Sequence, residues 1–527
     1  MKKSLVLMVM ALLGNQAYAQ KTPENWFNLD RTADKAMGVS TERAYKELLA
    51  GKTSKRVVVA VLDSGVDIYH EDLKGKIWVN EDEIPNNGID DDKNGYIDDV
   101  NGWSFLGGAG KNNVDSETLE VTRLYRKLAP KYSDKTKETA ANKKEFELWE
   151  KVKKSFEEKV TEAKEGWEGF KPNIEAFNAA SKALTSTLGK KEFTMDDVKA
   201  MEDSDNKKLL QGMMGQMGAK TSKDVEDRFE KVKKYFLGQL EHNLNLDFDP
   251  RWKVGDNPEN SKERLYGNSD CKGPDSFHGT HVSGIIAADR NNNLGIKGIC
   301  DDCVIMAVRC VPDGDERDKD IANAIRYAVD NGAQILNMSF GKNFAGDKKA
   351  VDEALVYAAK KNVLLVHAAG NDNLNWDTNE VFPTPGLGED KSKRAATFIN
   401  IGANSYHESA KFTAPFSNYS QSWVDIFAPG VQIYSTVPEN KYDNASGTSM
   451  AAPAFAGVAA LVKSYYPHLS ALQLKEVLLK SADPINFKVL IPGEKTEVEL
   501  KSLCSTGGMV NAYNALKYAE EKYPAKK

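Results

Sequence analysis

The sequence predicts an α/β protein in three layers, a mainly parallel β-sheet flanked by helices, interrupted by an α-helical insertion. Three observations carry this expectation. Continuous apolar, β-branched runs at 57–62, 304–308, 335–338 and 363–366 have strand length and no polar face, as strands buried on both faces of a parallel sheet require. Helical stretches separate them; Ile321, Ile325, Ala328 and Val329 share one face of such a helix, and Gly332 stands where it would end. The block 110–266 departs from both patterns, being rich in charge with apolar residues at helical spacing.

Taken in order, the chain opens on Met1-Lys2-Lys3, an apolar run over 5–13 and Ala17-Tyr18-Ala19. This is the layout of a secretory signal peptide cleaved after Ala19, and the run is too short to span a bilayer. A secreted or periplasmic protein follows, with no membrane span once the leader is removed. Residues 20–109 form the first part of the sheet domain and 267–527 the second. Within the insertion, Trp149, Val152, Phe156, Val160, Ala163 and Trp167 mark one amphipathic helix. Val225, Phe229, Val232, Phe236 and Leu240 mark another, and Thr194 with Asp197 resembles a cap for a short helix between them. The insertion reads as a solvated appendage with its own small core, or as a lid or docking arm.

Composition narrows the function. Of 527 residues, 41% are hydrophobic and 28% charged, with a net charge of −6, which suits a soluble protein and offers no basic footprint for nucleic acid. The five cysteines are Cys271, Cys300, Cys303, Cys310 and Cys504. Export permits a disulfide, with Cys300 closing on Cys303 or Cys271, while the lone C-x-x-C also admits a zinc reading.

Three positions have the chemistry of a nucleophilic site. Asp63 ends the first apolar run, in Asp63-Ser64-Gly65, and in open α/β sheets ligands bind beyond the carboxyl ends of the strands. Alone it reads equally as a polar turn residue. His278 stands in His278-Gly279-Thr280-His281 before a helix; His278 and His281 could share a metal, but the H-E-x-x-H pattern is absent. Ser449 lies in Gly447-Thr448-Ser449-Met450-Ala451-Ala452-Pro453 at a helix start. Such a Ser is commonly a cap, yet the small neighbours leave its hydroxyl room and the helix end favours a developing oxyanion.

These three motifs, in the order Asp, His, Ser, resemble those of the subtilisin-like serine proteases, the subtilases. The resemblance covers about 56–108 and 267–520 and implies a subtilisin-like fold and a secreted endopeptidase acting on protein or peptide substrates. Ser449 would be the nucleophile, His278 the proton carrier and Asp63 its orienting carboxylate. Asn371, in Ala368-Ala369-Gly370-Asn371, matches the family's oxyanion donor, and the Ser449 N–H would be the second. Ser339, Phe340 and Gly341, in Asn337-Met338-Ser339-Phe340-Gly341, match the segment that pairs with substrate main chain; they read otherwise as a strand end with a core Phe. The forty or so residues between Ala19 and Asp63 are fewer than the inhibitory prodomain of many relatives. Alternatives to a simple endopeptidase are a protein-quality-control protease, or a peptide-binding module, whose helical insertion recruits clients.

A second site is legible from spacing alone. Asp90, Asp92, Asn94 and Asp98 place side-chain oxygens at the first, third, fifth and ninth positions of a loop. Gly95 is sixth, and Tyr96, at the seventh, would offer its carbonyl, as in calcium-binding loops. Asn101 at the twelfth position is not the Glu of a helix–loop–helix calcium site. The expectation is a structural calcium ion, against a solvated acidic turn; similar loops occur in some subtilases.

Overall fold

The computed structural model describes residues 22–133, 142–390 and 392–524, so the leader expected at 1–19 lies outside the described residues. Residues 22–120 and 249–527 form one compact unit and residues 121–248 a second. The segments 110–120 and 249–266 therefore pack with the larger unit, and the helical unit is shorter at both ends than the charged block.

The larger unit is built on a sheet of nine strands. Strands β1 (Val57–Asp63), β2 (Gly102–Ser104), β3 (Cys303–Arg309), β4 (Ile335–Met338), β5 (Leu364–Ala368), β6 (Phe398–Asn404) and β7 (Ile426–Pro429) are followed by the hairpin β8 (Ile433–Val437) and β9 (Lys441–Ala445). Then come β10 (Asp483–Pro484), the hairpin strands β11 (Lys488–Leu490) and β12 (Glu497–Glu499), and β13 (Gly508–Met509). The sheet order is β10-β13-β7-β6-β5-β4-β1-β3-β2, parallel throughout except where β10 meets β13. The four apolar runs in the sequence are β1, β3, β4 and β5, the four adjacent central strands. Every residue of β3, β4 and β5 is buried, which is why those runs carry no polar alternation.

Pleating divides these strands between two layers. Ala60, Leu62, Met306, Leu336 and Leu365 join Ile321, Ile325, Ala354 and Leu355 of helices Asp318–Asp330 and Lys348–Lys360 in one core. The opposite face meets helices Phe277–Ala287 and Thr448–Tyr465. Nearly all of Thr448–Tyr465 is buried, the expected fate of a helix apolar around its whole circumference. Asp63 has the parity of Val59 and Val61, so it ends β1 facing the layer that carries His278.

The segment before β1 is integral to this unit. Trp26 and Phe27 are fully buried. Asn404 Nδ2 donates to the Met37 carbonyl (3.0 Å), and the Ala512 N–H donates to Val39 (2.7 Å).

The helical unit has its own core, with Phe177, Leu184, Phe193, Leu210, Met214, Val225 and Phe229 packed among helices Lys143–Leu188, Met195–Lys199, Asp205–Met217 and Ser222–Gly238. Thr194 and Asp197 form a reciprocal cap on Met195–Lys199. All five cysteines are buried free thiols, so the disulfide expected of Cys300 is absent; Cys303 Sγ instead donates to the Cys300 carbonyl at 3.2 Å. They fill space as small apolar side chains. Among the described residues the only side-chain cluster of metal-ligand type is acidic, which leaves the zinc reading without ligands.

Charge is buried where the chain rejoins the sheet after residue 248. Arg251 pairs with Asp256 (2.6 Å) and Asp320 (2.7 Å), all three side chains at most 3% exposed, and Tyr266 donates to Asp320 at 2.6 Å. Removing one partner strands the others in a medium that solvates them poorly. Asp320→Ala is expected to destabilise the protein by about 3–5 kcal/mol, read as a lowered urea midpoint.

Candidate active site

The ends of β1, β4 and β5 lie side by side; Asp63, Ser339 and Asn371 lie at or just beyond them, while His278 and Ser449 stand in helix first turns. Asp63 is the last residue of β1 and is 2% exposed. Its Oδ1 accepts the Ser64 N–H at 2.7 Å and lies 2.8 Å from His278 Nδ1; Oδ2 lies 3.0 Å from the same nitrogen. An ionised carboxylate accepts only, so Nδ1 is the donor and the ring's other nitrogen, Nε2, is left to exchange protons. His278 occupies the first turn of Phe277–Ala287 and its side chain is 37% exposed. The close approach depends on Gly279: a Cβ there would sit 2.1 Å from the Gly65 carbonyl oxygen and 3.1 Å from Asp63 Cβ. Gly65 in turn has φ of 130°, a conformation glycine tolerates and other residues avoid.

Ser449 is the second residue of Thr448–Tyr465 and is half-buried. Its Oγ donates to the Ser339 carbonyl at 3.2 Å, and Ser339 Oγ returns a bond to the Ser449 carbonyl at 3.0 Å. Asn337 Nδ2 donates to Ser339 Oγ at 2.9 Å, fixing that hydroxyl. Asn371 lies just past β5. Its Oδ1 accepts both the Thr448 N–H (2.8 Å) and the Thr448 hydroxyl (3.0 Å), which turns its NH₂ the other way. A carbon at the missing Cβ of Gly447 would lie 3.4 Å from Asn371 Nδ2 and 3.6 Å from Ser449 N. The Asn371 amide and the Ser449 N–H thus lie close together at the start of this helix, where the helix end adds positive potential.

Beyond β4, Gly341 is exposed, while Ser339 is 5% and Phe340 9% exposed. Phe340 packs with the core that holds Leu336 and Met338. What 339–341 can offer a ligand is main chain. His281, the other histidine of its motif, does not share a metal with His278. Its Nε2 donates to the carbonyls of Ile433 (3.0 Å) and Asp443 (3.2 Å), and burial pushes its pKa down to about 4.

In the acidic loop, carboxylate oxygens of Asp90, Asp92 and Glu83 lie within 4.8 Å of one another. Glu83 falls outside the spacing that marked the loop. Asp98 does not join this group as expected; its carboxylate accepts the N–H groups of Asn87 and Gly88, both at 3.0 Å. Asn94 Oδ1 takes the Tyr96 N–H (2.8 Å), and Asn94 Nδ2 donates to Asp92 (3.0 Å). The Tyr96 ring packs against Trp103 and Tyr327. Hard carboxylate oxygens without nitrogen or sulfur form a donor set that fits calcium.

The electrostatics of His278 follow from its neighbours. Burial lowers its pKa, but the Asp63 charge and hydrogen bond raise it further, Asp275 adds to the rise, and the net position is above the ordinary histidine value. For a base with a raised folded-state pKa, the stabilisation is complete below the unfolded value near 6.5 and is lost as pH rises through the folded one. Asp63→Asn should therefore lower the His278 pKa, as followed by the ring-proton NMR titration.

Comparison with known proteins bears on this geometry. The Subtilase family model matches residues 54–501. A thermophilic serine proteinase from Bacillus sp. (strain AK1) is 36% identical over 46% of this chain and 52% of its own. Subtilisin DY from Bacillus licheniformis is 35% identical over 39% of this chain and 70% of its own. Thermitase from Thermoactinomyces vulgaris is 34% identical over 46% and 75%. The match thus spans about half the length of the first of these relatives. A parallel sheet flanked by helices, with Asp63 against His278, and a family model running through nearly all of it lead to one assignment: the chain belongs to the subtilase family of serine proteases.

Proposed function

We propose that this protein is an exported endopeptidase that hydrolyses peptide bonds in proteins through an acyl-enzyme on Ser449. The observation that carries the reading is the Asp63–His278 pair, 2.8 Å apart, in the layer that also holds the helix whose first turn carries Ser449. Ser449 Oγ attacks the scissile carbonyl carbon and His278 Nε2 takes its proton. The carbonyl oxygen becomes an oxyanion held by Asn371 Nδ2 and the Ser449 N–H. Collapse breaks the C–N bond while His278 returns the proton to the leaving amine, and water then repeats the sequence on the acyl-enzyme. Asp63 keeps Nδ1–H as the donor and stabilises the imidazolium. Attack requires the hydroxyl to exchange Ser339 for His278, a tightening common when substrate arrives. The exposed main chain at Gly341, just beyond β4, suits pairing with an extended peptide. Export rests on the leader at 1–19, and among the described residues no helix is long and apolar enough to cross a membrane.

We also read Glu83, Asp90 and Asp92 as ligands of a structural calcium ion, which when bound would neutralise carboxylates that otherwise repel. Asn94 and Tyr96 stand beside them as further oxygen donors.

Ser449→Ala should lower kcat on a peptide substrate by at least about 10⁴-fold and abolish covalent labelling by a fluorophosphonate; retention of activity would overturn the assignment. Asn371→Ala should cost about 10²–10³ in kcat with KM little changed. Chelation should lower the melting temperature, calcium should restore it, and Asp92→Asn should remove that response.

A further inference from the structure

Arg309, the last residue of β3 and the register partner of Asp63, is 2% exposed and forms no ion pair among the described residues. Burial outweighs the opposing pull of nearby charges, Asp270 and Asp115 first, and pushes its pKa down to about 10. Such a guanidinium is unfavourable unless its donors are used, and here four of its five N–H groups have an acceptor. Nε donates to the Ser64 carbonyl at 2.9 Å. One terminal nitrogen donates to Ser104 Oγ and Asn113 Oδ1, each at 3.3 Å, and the other donates to the Val114 carbonyl. The space is built for it, since a Cβ on Gly273 would lie 2.2 Å from Nε.

The bond to Ser64 links this group to the catalytic chemistry. Ser64 is held on both sides: its N–H by Asp63 Oδ1 (2.7 Å) and its carbonyl by Arg309. The Asp63 carbonyl is held separately, by the N–H groups of Cys310 (2.9 Å) and Val311 (3.2 Å). Among the described residues the Ser64 N–H is the one backbone donor to the Asp63 carboxylate. Its direction is set by the turn that Arg309 grips.

We propose that Arg309 is a positioning residue for the peptidase reaction: by clamping Ser64 it orients the Asp63 carboxylate on His278 Nδ1. This rests on the roles assigned above to Asp63 and His278. The planar fork spans Ser64 on one side and Ser104, Asn113 and Val114 on the other, a span that a single ammonium cannot reproduce.

Arg309→Lys keeps the charge and loses the fork, so it separates geometry from electrostatics. With a short chromogenic peptide, we expect kcat to fall about tenfold with KM within about twofold. The acid limb of the kcat/KM profile should move down by about half a unit, because a misaligned carboxylate supports the imidazolium less. Ser104→Ala removes a bond at the far end of the fork and should lower the melting temperature while leaving kcat and the acid limb in place. If Arg309→Lys does not fold by circular dichroism, the same readouts are taken on Arg309→Gln, whose amide can still reach one carbonyl. A folded Arg309 variant with wild-type kcat and acid limb, beside an inactive Asp63→Asn, would overturn the positioning role and leave the catalytic assignment standing. Full activity in Asp63→Asn would overturn both.

Discussion

The architecture of the site depends on a buried carboxylate. A charge at the end of a central strand is strongly unfavourable unless every lone pair that matters has a donor. Asp63 meets that requirement with the Ser64 N–H and the His278 ring. This demand fixes the backbone on both sides of it. Gly65 must adopt a positive φ, and the helix bearing His278 must come close enough that only a glycine fits at 279. The motif D-S-G and the motif H-G-T-H are thus two halves of one steric and electrostatic arrangement, although 215 residues separate the ring from the carboxylate.

The second half of the site uses the same layer differently. His278 and Ser449 each stand in the first turn of a helix, and both helices cover the sheet face to which Asp63 points. Helix starts expose unpaired N–H groups, which suits anionic chemistry and leaves the side chains of the first turn uncrowded. Thr448 orients the Asn371 amide with its own N–H and hydroxyl, so the small residue before the serine does more than leave space. Ser339 ties the serine's main chain to the end of β4. Strand ends supply the carboxylate and the amide, helix starts supply the imidazole and the hydroxyl, and the parallel sheet sets the spacing between them.

What could be read from the sequence follows from how locally each feature is encoded. β1, β3, β4 and β5 were legible because burial on both faces removes polar residues from the run itself. Asp63, His278, Ser449 and Asn371 were legible because the small residues that give them room are their sequence neighbours. Glu83 was not, because it meets Asp90 and Asp92 through a fold of the chain that no fixed spacing encodes. Asp98 has the right spacing, but its carboxylate caps the turn at Asn87 and Gly88. Phe340 lies in the right segment, yet the pleat sends its side chain inward. Arg309 stands just past the apolar run 304–308, and only its register with Asp63 gives it a role.

The charged insertion raises the question of how a sheet unit tolerates 128 residues between its first strands and its histidine helix. Its own core, centred on Phe177 and Phe229, supplies the burial that an independent unit needs. The ends of the sheet unit are anchored by buried ion pairs within that unit. At one end Glu120 pairs with Lys342 (2.9 Å), which also pairs with Asp318 (2.8 Å). At the other, Arg251 pairs with Asp256 and Asp320. Asp318 and Asp320 belong to the first turn of the same helix, where carboxylates also meet the helix dipole favourably. One helix start therefore receives the chain as it leaves and as it returns. The buried charge at this helix start is thus a demand of the sheet unit itself, met by residues on both sides of the insertion.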